Sequence, residues 1–218
     1  MKFSIICASH DDNVLKQNLL QSPQLNEHEL IIIKRCKEVS KAYNEASLSA
    51  TCTLQIFVHH DVYLPLGFFD SLTTSIVDLP ISDWGLLGVA GKSKNDEDVG
   101  FVLDRDNEWG DKDNLPQEAR TLDELLLVKQ RDEFLFDEKI PSTHHLFGSD
   151  LCLQYSSKGY RNFAISAVCR HNSDYDNKVP ESWFESAKYL RKKWSAFLPI
   201  PTTCGLIFAD KIEVPIVN

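Results

Sequence analysis

A short polar group interrupts an apolar stretch early in the chain. The segment LQIFVHHDVYLP is apolar except for His59, His60 and Asp61. His59 and Asp61 are one residue apart, so in an extended chain both side chains point to one side and His60 points to the other. An imidazole and a carboxylate on one side can bind a divalent cation together. The alternative is that His59 hydrogen-bonds a neighbouring carbonyl and Asp61 caps the next turn.

Two further polar residues occur where predicted elements meet loops. His171 is among the polar residues that follow a predicted strand over Arg161 to Cys169, and it could supply a third ligand to the cation. Asp150 lies after Gly148 at the start of a predicted helix, where unpaired N–H groups and the helix dipole favour a carboxylate. Asp150 is therefore either a plain helix N-cap or a general base that deprotonates a hydroxyl nucleophile.

The apolar segments indicate how these side chains would be positioned. Residues Phe3 to Ser9, Leu30 to Lys34 and Leu54 to Val58 are short apolar runs that predict strands. Between them, residues 14–20 and Lys41 to Ser49 have apolar side chains at helical spacing. This β-α-β-α-β order predicts a parallel sheet with right-handed crossovers. The unbroken run Leu30 to Lys34 further predicts a strand that is covered on both faces.

In a parallel sheet of this kind, ligands bind in the crevice beyond the carboxyl ends of the strands. Ser9 and His10 end the first predicted strand, and His59 to Asp61 follow the third. His171 ends a later strand. We therefore expect these polar side chains to face one cleft.

The rest of the chain continues the alternation of strands and helices. Residues 91–117 are rich in Gly, Asp, Asn and Lys and predict loops or a small hairpin around Phe101 to Leu103, either a solvated insertion or a mobile flap over the site. The tail after Pro199 is predicted to be irregular. The other predicted elements are a helix at Gly67 to Asp78, strands at Trp84 to Ala90 and Thr121 to Val128, and helices at Leu151 to Lys158 and Glu181 to Ser195.

Composition excludes several classes of function. The 218 residues, 43% hydrophobic and 25% charged, are typical of one soluble globular domain. The net charge of -9 and the lack of a long basic block argue against nucleic acid binding. No apolar stretch reaches the ~20 residues of a membrane span, and no signal peptide is evident, so a cytoplasmic protein is expected. The six cysteines have no C-x-x-C spacing and predict buried, reduced thiols.

Several motifs together resemble a known family. FSIICAS, LIIIK, KAYNEAS and LQIFVHHDVYLP resemble, in this order, the nucleotide-binding half of family 2 type glycosyltransferases with a GT-A fold. GVAG, TLDELLLV, FGSDLCLQYSSKGYR, RHNS and KKWSAFLPIPT are similar to a bacterial "glycosyltransferase-like" branch of that superfamily. The resemblance implies an α/β fold with a mostly parallel central sheet flanked by helices. It implies one domain, with residues 1–91 as the nucleotide-binding half and residues 92–218 as the acceptor-binding half.

The resemblance also implies an activity and roles for individual residues. A sugar would move from a nucleotide-diphosphate sugar to a hydroxyl acceptor, such as a surface or lipid-linked glycan, with inversion and with Mn²⁺ or Mg²⁺ as cofactor. Asp150 would be the catalytic base, and Asp61, His171 and His59 would bind the metal. The donor sugar nucleotide would be bound by Ala8, Ser9, His10, Lys34, Asn44, His60 and Gly91.

Two other functions stay open from the sequence. A non-catalytic module of the same fold would bind a nucleotide or sugar without turnover. A metallohydrolase would use the histidines to bind zinc and would need no nucleotide, but the H-x-x-x-H type of spacing is absent. Peripheral association of the protein with a membrane also stays open.

Overall fold

Strands and helices alternate along the first half of the chain and then give way to a strand-rich region. The computed structural model describes residues 1–141, 144–173 and 178–215. The helices in these ranges are α1 (Asp12–Gln17), α2 (Val39–Ser49), α3 (Phe68–Val77), α4 (Phe147–Ser157) and α5 (Glu181–Lys193). The strands are β1 (Phe3–Ser9), β2 (Glu29–Lys34), β3 (Leu54–Val58), β4 (Val62–Tyr63), β5 (Trp84–Gly88), β6 (Ala90–Lys92), β7 (Asp98–Asp104), β8 (Asn107–Gly110), β9 (Gln117–Ala119), β10 (Thr121–Leu122), β11 (Leu126–Gln130), β12 (Arg161–Ala164), β13 (Arg170–His171), β14 (Ile200–Thr202), β15 (Gly205–Ile207) and β16 (Ile212–Glu213).

The central sheet has seven strands in the order β2-β1-β3-β11-β5-β12-β9. β1 pairs in parallel with β2 and β3, which confirms the predicted β-α-β-α-β unit. β11 is inserted antiparallel between β3 and β5, and β9 lies antiparallel to β12 at the far edge. The remaining five strands run in one direction, since β12 is parallel to β5. The insertion of β11 brings its amino end to the same edge of the sheet as the carboxyl end of β3.

Helices cover both faces of this sheet because successive strand residues point to opposite sides. In β3, Ile56 and Val58 join an apolar cluster that includes Phe68 of α3. Phe57, between them, joins a second cluster that includes Tyr43 of α2. α4 and α5 add to the second cluster, and α1 adds to the first. The strand ends are therefore held by a core on each face.

A six-stranded sheet, ordered β10-β6-β7-β13-β4 with β8 paired to β7, packs beside the central sheet. Pairing of Phe101 with Gly110 confirms the predicted hairpin near residue 101. Val99, Phe101 and Val102 are buried, so the interpretation of residues 91–117 as a solvated insertion is wrong for β7. This segment gave no strong strand signal because its buried positions are separated by polar turns.

Three other predictions need correction. The run Leu30 to Lys34 belongs to the edge strand β2 and is only half-buried, because no strand in the described part of the chain pairs with its outer side. The predicted strand Arg161 to Cys169 ends at Ala164, and His171 belongs to β13 in the second sheet. The chain after Pro199 is not irregular but forms the small sheet β14-β15-β16.

Within the described ranges, none of the helices combines the length and hydrophobicity that a bilayer crossing requires.

Candidate functional site

A cavity of about 470 Å³ opens at the edge where β1 and β3 end and β11 begins. His59 continues this pairing, since its N–H donates to the carbonyl of Leu125 at 3.0 Å. Elements from distant parts of the chain complete the wall, namely the N-terminal region of α4, β13, α5 and the turn after β14. The prediction that polar strand ends face one cleft is therefore confirmed for His10, the segment 59–61 and His171.

His59, Asp61 and His171 form a cluster in the cavity wall. One ligand atom from each residue lies within 4.8 Å of the others. Backbone pairing sets this geometry, because His171 in β13 lies opposite Val62 in β4 and the Asn172 N–H donates to the Asp61 carbonyl at 3.0 Å. The two imidazole rings lie 6.0 Å apart between centroids. Among the described residues, no other set of three His, Cys, Asp or Glu side chains reaches this proximity.

The carboxylate of Asp61 lacks a hydrogen-bond partner for one oxygen. Oδ1 is buried without a hydrogen bond, although His171 Nε2 lies 3.5 Å away. Burial alone would raise the pKa of Asp61, but the adjacent imidazoles of His171 and His59 hold that pKa well below its usual range. Asp61 Oδ1 therefore has an ion-pair contact with His171 but no hydrogen bond, which leaves this buried, ionised oxygen able to accept a positively charged ligand.

The electrostatics of the two histidines differ. Burial lowers the pKa of His59, so its ring is neutral near pH 7 and has a lone pair available for a cation. Burial also acts against protonation of His171, but the carboxylates of Asp61, Asp123 and Asp104 outweigh it and raise the pKa of that ring. His171 Nδ1 lies 3.4 Å from Asp104 Oδ1, the outer contact that commonly orients a metal-binding histidine. The set of two imidazoles and one carboxylate fits Mn²⁺ better than Mg²⁺, which prefers oxygen ligands.

A row of three imidazoles lies on another side of the cavity. The rings of His10 and His60 are 4.5 Å apart, and His144 packs edge-on against His10 at 6.1 Å. The Ser9 hydroxyl donates to the Asp11 carbonyl at 3.0 Å and contacts His60 Nδ1 at 3.0 Å. Since that hydroxyl has one proton, His60 Nδ1 must be the donor to Ser9, which leaves Nε2 unprotonated in the neutral ring. Ser9 thus orients His60 rather than lining the cavity, whereas Ala8 lines it.

The structure does not bring Asp150 into the cavity. Asp150 lies inside the first turn of α4, not at its N-cap, and its side chain has no solvent exposure. Its carboxylate accepts hydrogen bonds from Lys193 Nζ at 2.7 and 2.9 Å, from Trp194 Nε1 at 2.7 Å and from Gln154 Nε2 at 2.8 Å. These contacts join α4 to the end of α5. Asp150 is therefore not placed to act as the predicted base, because its oxygens are already shared among protein donors.

In addition to Ser9, three other residues predicted to bind the donor lie outside the cavity lining. Lys34 is exposed and forms an ion pair with Asp12 at 2.9 Å. Asn44 is buried and exchanges two hydrogen bonds of 2.9 Å with the backbone of Phe136, so its amide supports a loop. Gly91 is required by packing, since a Cβ there would lie 2.2 Å from the Thr121 carbonyl oxygen.

The sequence did not identify several residues that line the cavity. Asp123 and Glu124 lie in the turn between β10 and β11, and Asp104, Trp109 and Trp183 come from β7, β8 and α5. The sequence signal for the first two was the acidic pair in TLDELLLV, directly before an apolar strand. This acidic pair would have indicated the site only if the following strand were known to be antiparallel. The start of an antiparallel strand lies at the same edge of the sheet as the ends of the parallel strands.

Comparisons with known proteins match a described family over most of the chain. Residues 4–183 match the family described as "Glycosyltransferase like family". A curated protein from Fuscovulum blasticum, described as "ATP synthase subunits region ORF 6", is 31% identical over 153 residues. The match covers 66% of this chain and 60% of that protein. The chain thus spans about 60% of the length of this curated relative.

Solved structures share the fold at low sequence identity. TarS 1-349 of S. aureus, in complex with UDP-GlcNAc, has a TM-score of 0.56 and 15% identity, covering 88% of this chain and 66% of that one. The mannosyltransferase PcManGT of Pyrobaculum calidifontis, in complex with GDP-Man and Mn²⁺, has a TM-score of 0.56 and 12% identity, covering 89% and 63%. At these identities the likeness concerns the fold.

Proposed function

Because the chain belongs to the glycosyltransferase-like family, we propose that it transfers a sugar from a nucleotide-diphosphate sugar to a hydroxyl group. Its GT-A type fold places the cavity at the carboxyl ends of β1 and β3, where open α/β sheets bind their ligands. The acceptor would be a glycan or another alcohol. We assign donor binding chiefly to residues 1–91 and acceptor binding to the remainder.

The observation that carries this proposal is the cluster of His59, Asp61 and His171 beside the cavity. A divalent cation bound by these residues would offset the negative charge that grows on the departing diphosphate. His59 and Asp61 would provide ligand atoms from the end of β3, and Asp104 would hold the ring of His171 in place. The cavity is much larger than a single cation, so its size is better explained by a nucleotide-sugar bound together with the cation.

The side chains around this cluster suit a charged and sugar-bearing ligand. His10, which lines the cavity beside His60, can donate to phosphate oxygens through a protonated ring nitrogen. Trp109 offers an apolar face against which a sugar ring can pack. The carboxylates of Asp104 and Asp123 can accept hydrogen bonds from sugar hydroxyl groups. Attack of the acceptor from the face opposite the diphosphate would invert the anomeric centre.

The test is a turnover assay with sugar nucleotides. Purified protein is incubated with UDP-GlcNAc, GDP-Man and other common donors, with Mn²⁺ or with a chelator, in the presence of p-nitrophenyl glycosides as acceptors. We expect release of nucleoside diphosphate from at least one donor only when the cation is present. Binding of a donor without release would instead support a non-catalytic module. If the protein neither binds a donor nor releases nucleoside diphosphate from one, the proposal is contradicted.

A further inference from the structure

Glu124 lies in the cavity wall beside the candidate cation cluster. It precedes β11, and Leu125, the next residue, accepts a hydrogen bond from the His59 N–H at 3.0 Å. The antiparallel pairing of β11 with β3 therefore carries Glu124 to the edge of the sheet where the cluster lies. Its side chain is half-buried and lines the cavity.

The first turn of α4 holds the Glu124 carboxylate in place. Oε1 accepts a hydrogen bond from the Gly148 N–H at 3.1 Å. The helix approaches closely because residue 148 has no side chain, since a Cβ there would lie 3.1 Å from the Leu122 carbonyl oxygen and 3.3 Å from Glu124 Cγ. The carboxylate is thus oriented by a backbone donor at a helix N-terminus, where the N-cap residue Leu146 makes no side-chain capping hydrogen bond of its own.

The other carboxylates near the cavity are engaged differently. Asp123 accepts the Leu125 N–H at 3.0 Å through Oδ1 and the Thr203 hydroxyl at 2.5 Å through Oδ2. Asp104 accepts the Ser173 hydroxyl at 3.0 Å and contacts His171. Asp61 belongs to the cation cluster, and Asp150 is enclosed by α5. Among the described residues, the hydrogen bonds to the Glu124 carboxylate come from backbone N–H groups, including those of Gly148 and Ser149 in the first turn of α4.

We propose that Glu124 is the general base that accepts the proton of the acceptor hydroxyl, an assignment that rests on the proposed transferase function. In the step, the acceptor oxygen forms a bond to the anomeric carbon, and the bond from that carbon to the diphosphate oxygen breaks. The electron pair of the broken bond leaves with the diphosphate. The hydroxyl proton moves to Glu124, so atoms and charges balance.

The environment of Glu124 suits this role. Burial raises the pKa of Glu124 to about 8, and the nearby charge of Asp123 adds to the effect. A carboxylate with a raised pKa is a stronger base than an ordinary one, and proton transfer is most efficient when the pKa is near the working pH. The rate of transfer should therefore rise with pH as this carboxyl group loses its proton.

The experiment compares Glu124→Gln with wild type. Glutamine keeps an oxygen that can accept the Gly148 N–H, but it cannot take up a proton at working pH. The matched control is Glu133→Gln, which changes an exposed glutamate on the loop after β11. For each protein, release of UDP or GDP is measured with the active donor from pH 5.5 to 9, and binding of the same nucleoside diphosphate with Mn²⁺ is measured by calorimetry.

We expect kcat of Glu124→Gln to fall by at least ~100-fold, with nucleotide binding within about twofold of wild type. The rise of rate with pH should disappear in this variant and persist in Glu133→Gln. If wild type turns over a donor and Glu124→Gln keeps its rate and pH profile, the assignment of Glu124 is wrong while the transferase function stands. If wild type releases no nucleoside diphosphate from any donor, the proposed function itself fails, and the assignment fails with it.

Discussion

Asp61 Oδ1 and His171 Nε2 lie 3.5 Å apart, although the two residues come from distant parts of the chain. The pairing of β4 with β13 brings them together, and Asp61 Oδ1 has no hydrogen bond from any residue that the structure describes. A cation between these groups would satisfy the carboxylate and use the lone pair of the imidazole.

Removal of either group should therefore weaken Mn²⁺ binding. We expect Asp61→Ala and His171→Ala each to reduce Mn²⁺ affinity by more than ~10-fold in calorimetric titrations, because each removes a ligand atom. Asp104→Asn should cause a smaller loss, since Asp104 contacts His171 and not the cation. Asp106→Asn, in the exposed turn between β7 and β8, is the control. Equal affinity in all four variants would contradict the site.

Asp150→Asn should affect stability more than chemistry. The change removes a charge partner of Lys193 inside the contact between α4 and α5. We expect the free energy of unfolding to fall by about 1–3 kcal/mol in urea titrations. The folded variant should keep kcat within a few-fold of wild type. A loss of kcat as large as that of Glu124→Gln, with unchanged stability, would restore Asp150 as the base.

Gly91→Ala should destabilise the protein without a specific loss of donor binding. The added Cβ would lie 2.2 Å from the Thr121 carbonyl oxygen, so β6 and β10 would have to separate. Overpacking of this kind costs about 1–3 kcal/mol, which a thermal melt would detect. Wild-type stability combined with weakened nucleotide binding would show that Gly91 contacts the donor instead.

The stability of the metal-free protein should depend on pH through Glu124. The folded-state pKa of about 8 lies above the ordinary value of 4.5, so the folded state holds a proton that the unfolded state releases between these pH values. The contribution of Glu124 to the free energy of unfolding is fully present below pH ~4.5 and is lost as the pH rises towards ~8. Glu124→Gln cannot ionise, so its stability relative to wild type should increase across that range. Urea unfolding at several pH values checks this, and parallel pH profiles would contradict the raised pKa.

Local sequence patterns predicted the first half of the fold well. The runs around Ile5, Ile32 and Ile56 and the helical spacing between them specify strands and helices without knowledge of the rest of the chain. They also predicted that His59 and Asp61 would face a cleft with His171. This worked because strand ends in a parallel unit share an edge, so local order and spatial position coincide.

The rest of the site depends on strand order, which short patterns do not contain. Glu124 reaches the cavity only because β11 is antiparallel, and nothing in TLDELLLV specifies its neighbours. Asp150 was misplaced for a related reason. A carboxylate near a helix start can point to a cleft or to another helix. Here Lys193 and Trp194, which are distant in sequence, donate hydrogen bonds to Asp150 and hold it against the end of α5.

The most direct test of the account is calorimetric titration of UDP and GDP into wild type and Asp61→Ala, each with Mn²⁺ and with a chelator. If the cavity binds a nucleoside diphosphate through a cation held by His59, Asp61 and His171, wild type should bind at least one nucleotide. The affinity should fall by more than ~10-fold on removal of Mn²⁺ and equally on loss of Asp61. Nucleotide binding that is indifferent to both Mn²⁺ and Asp61, or absent altogether, would contradict the central claim.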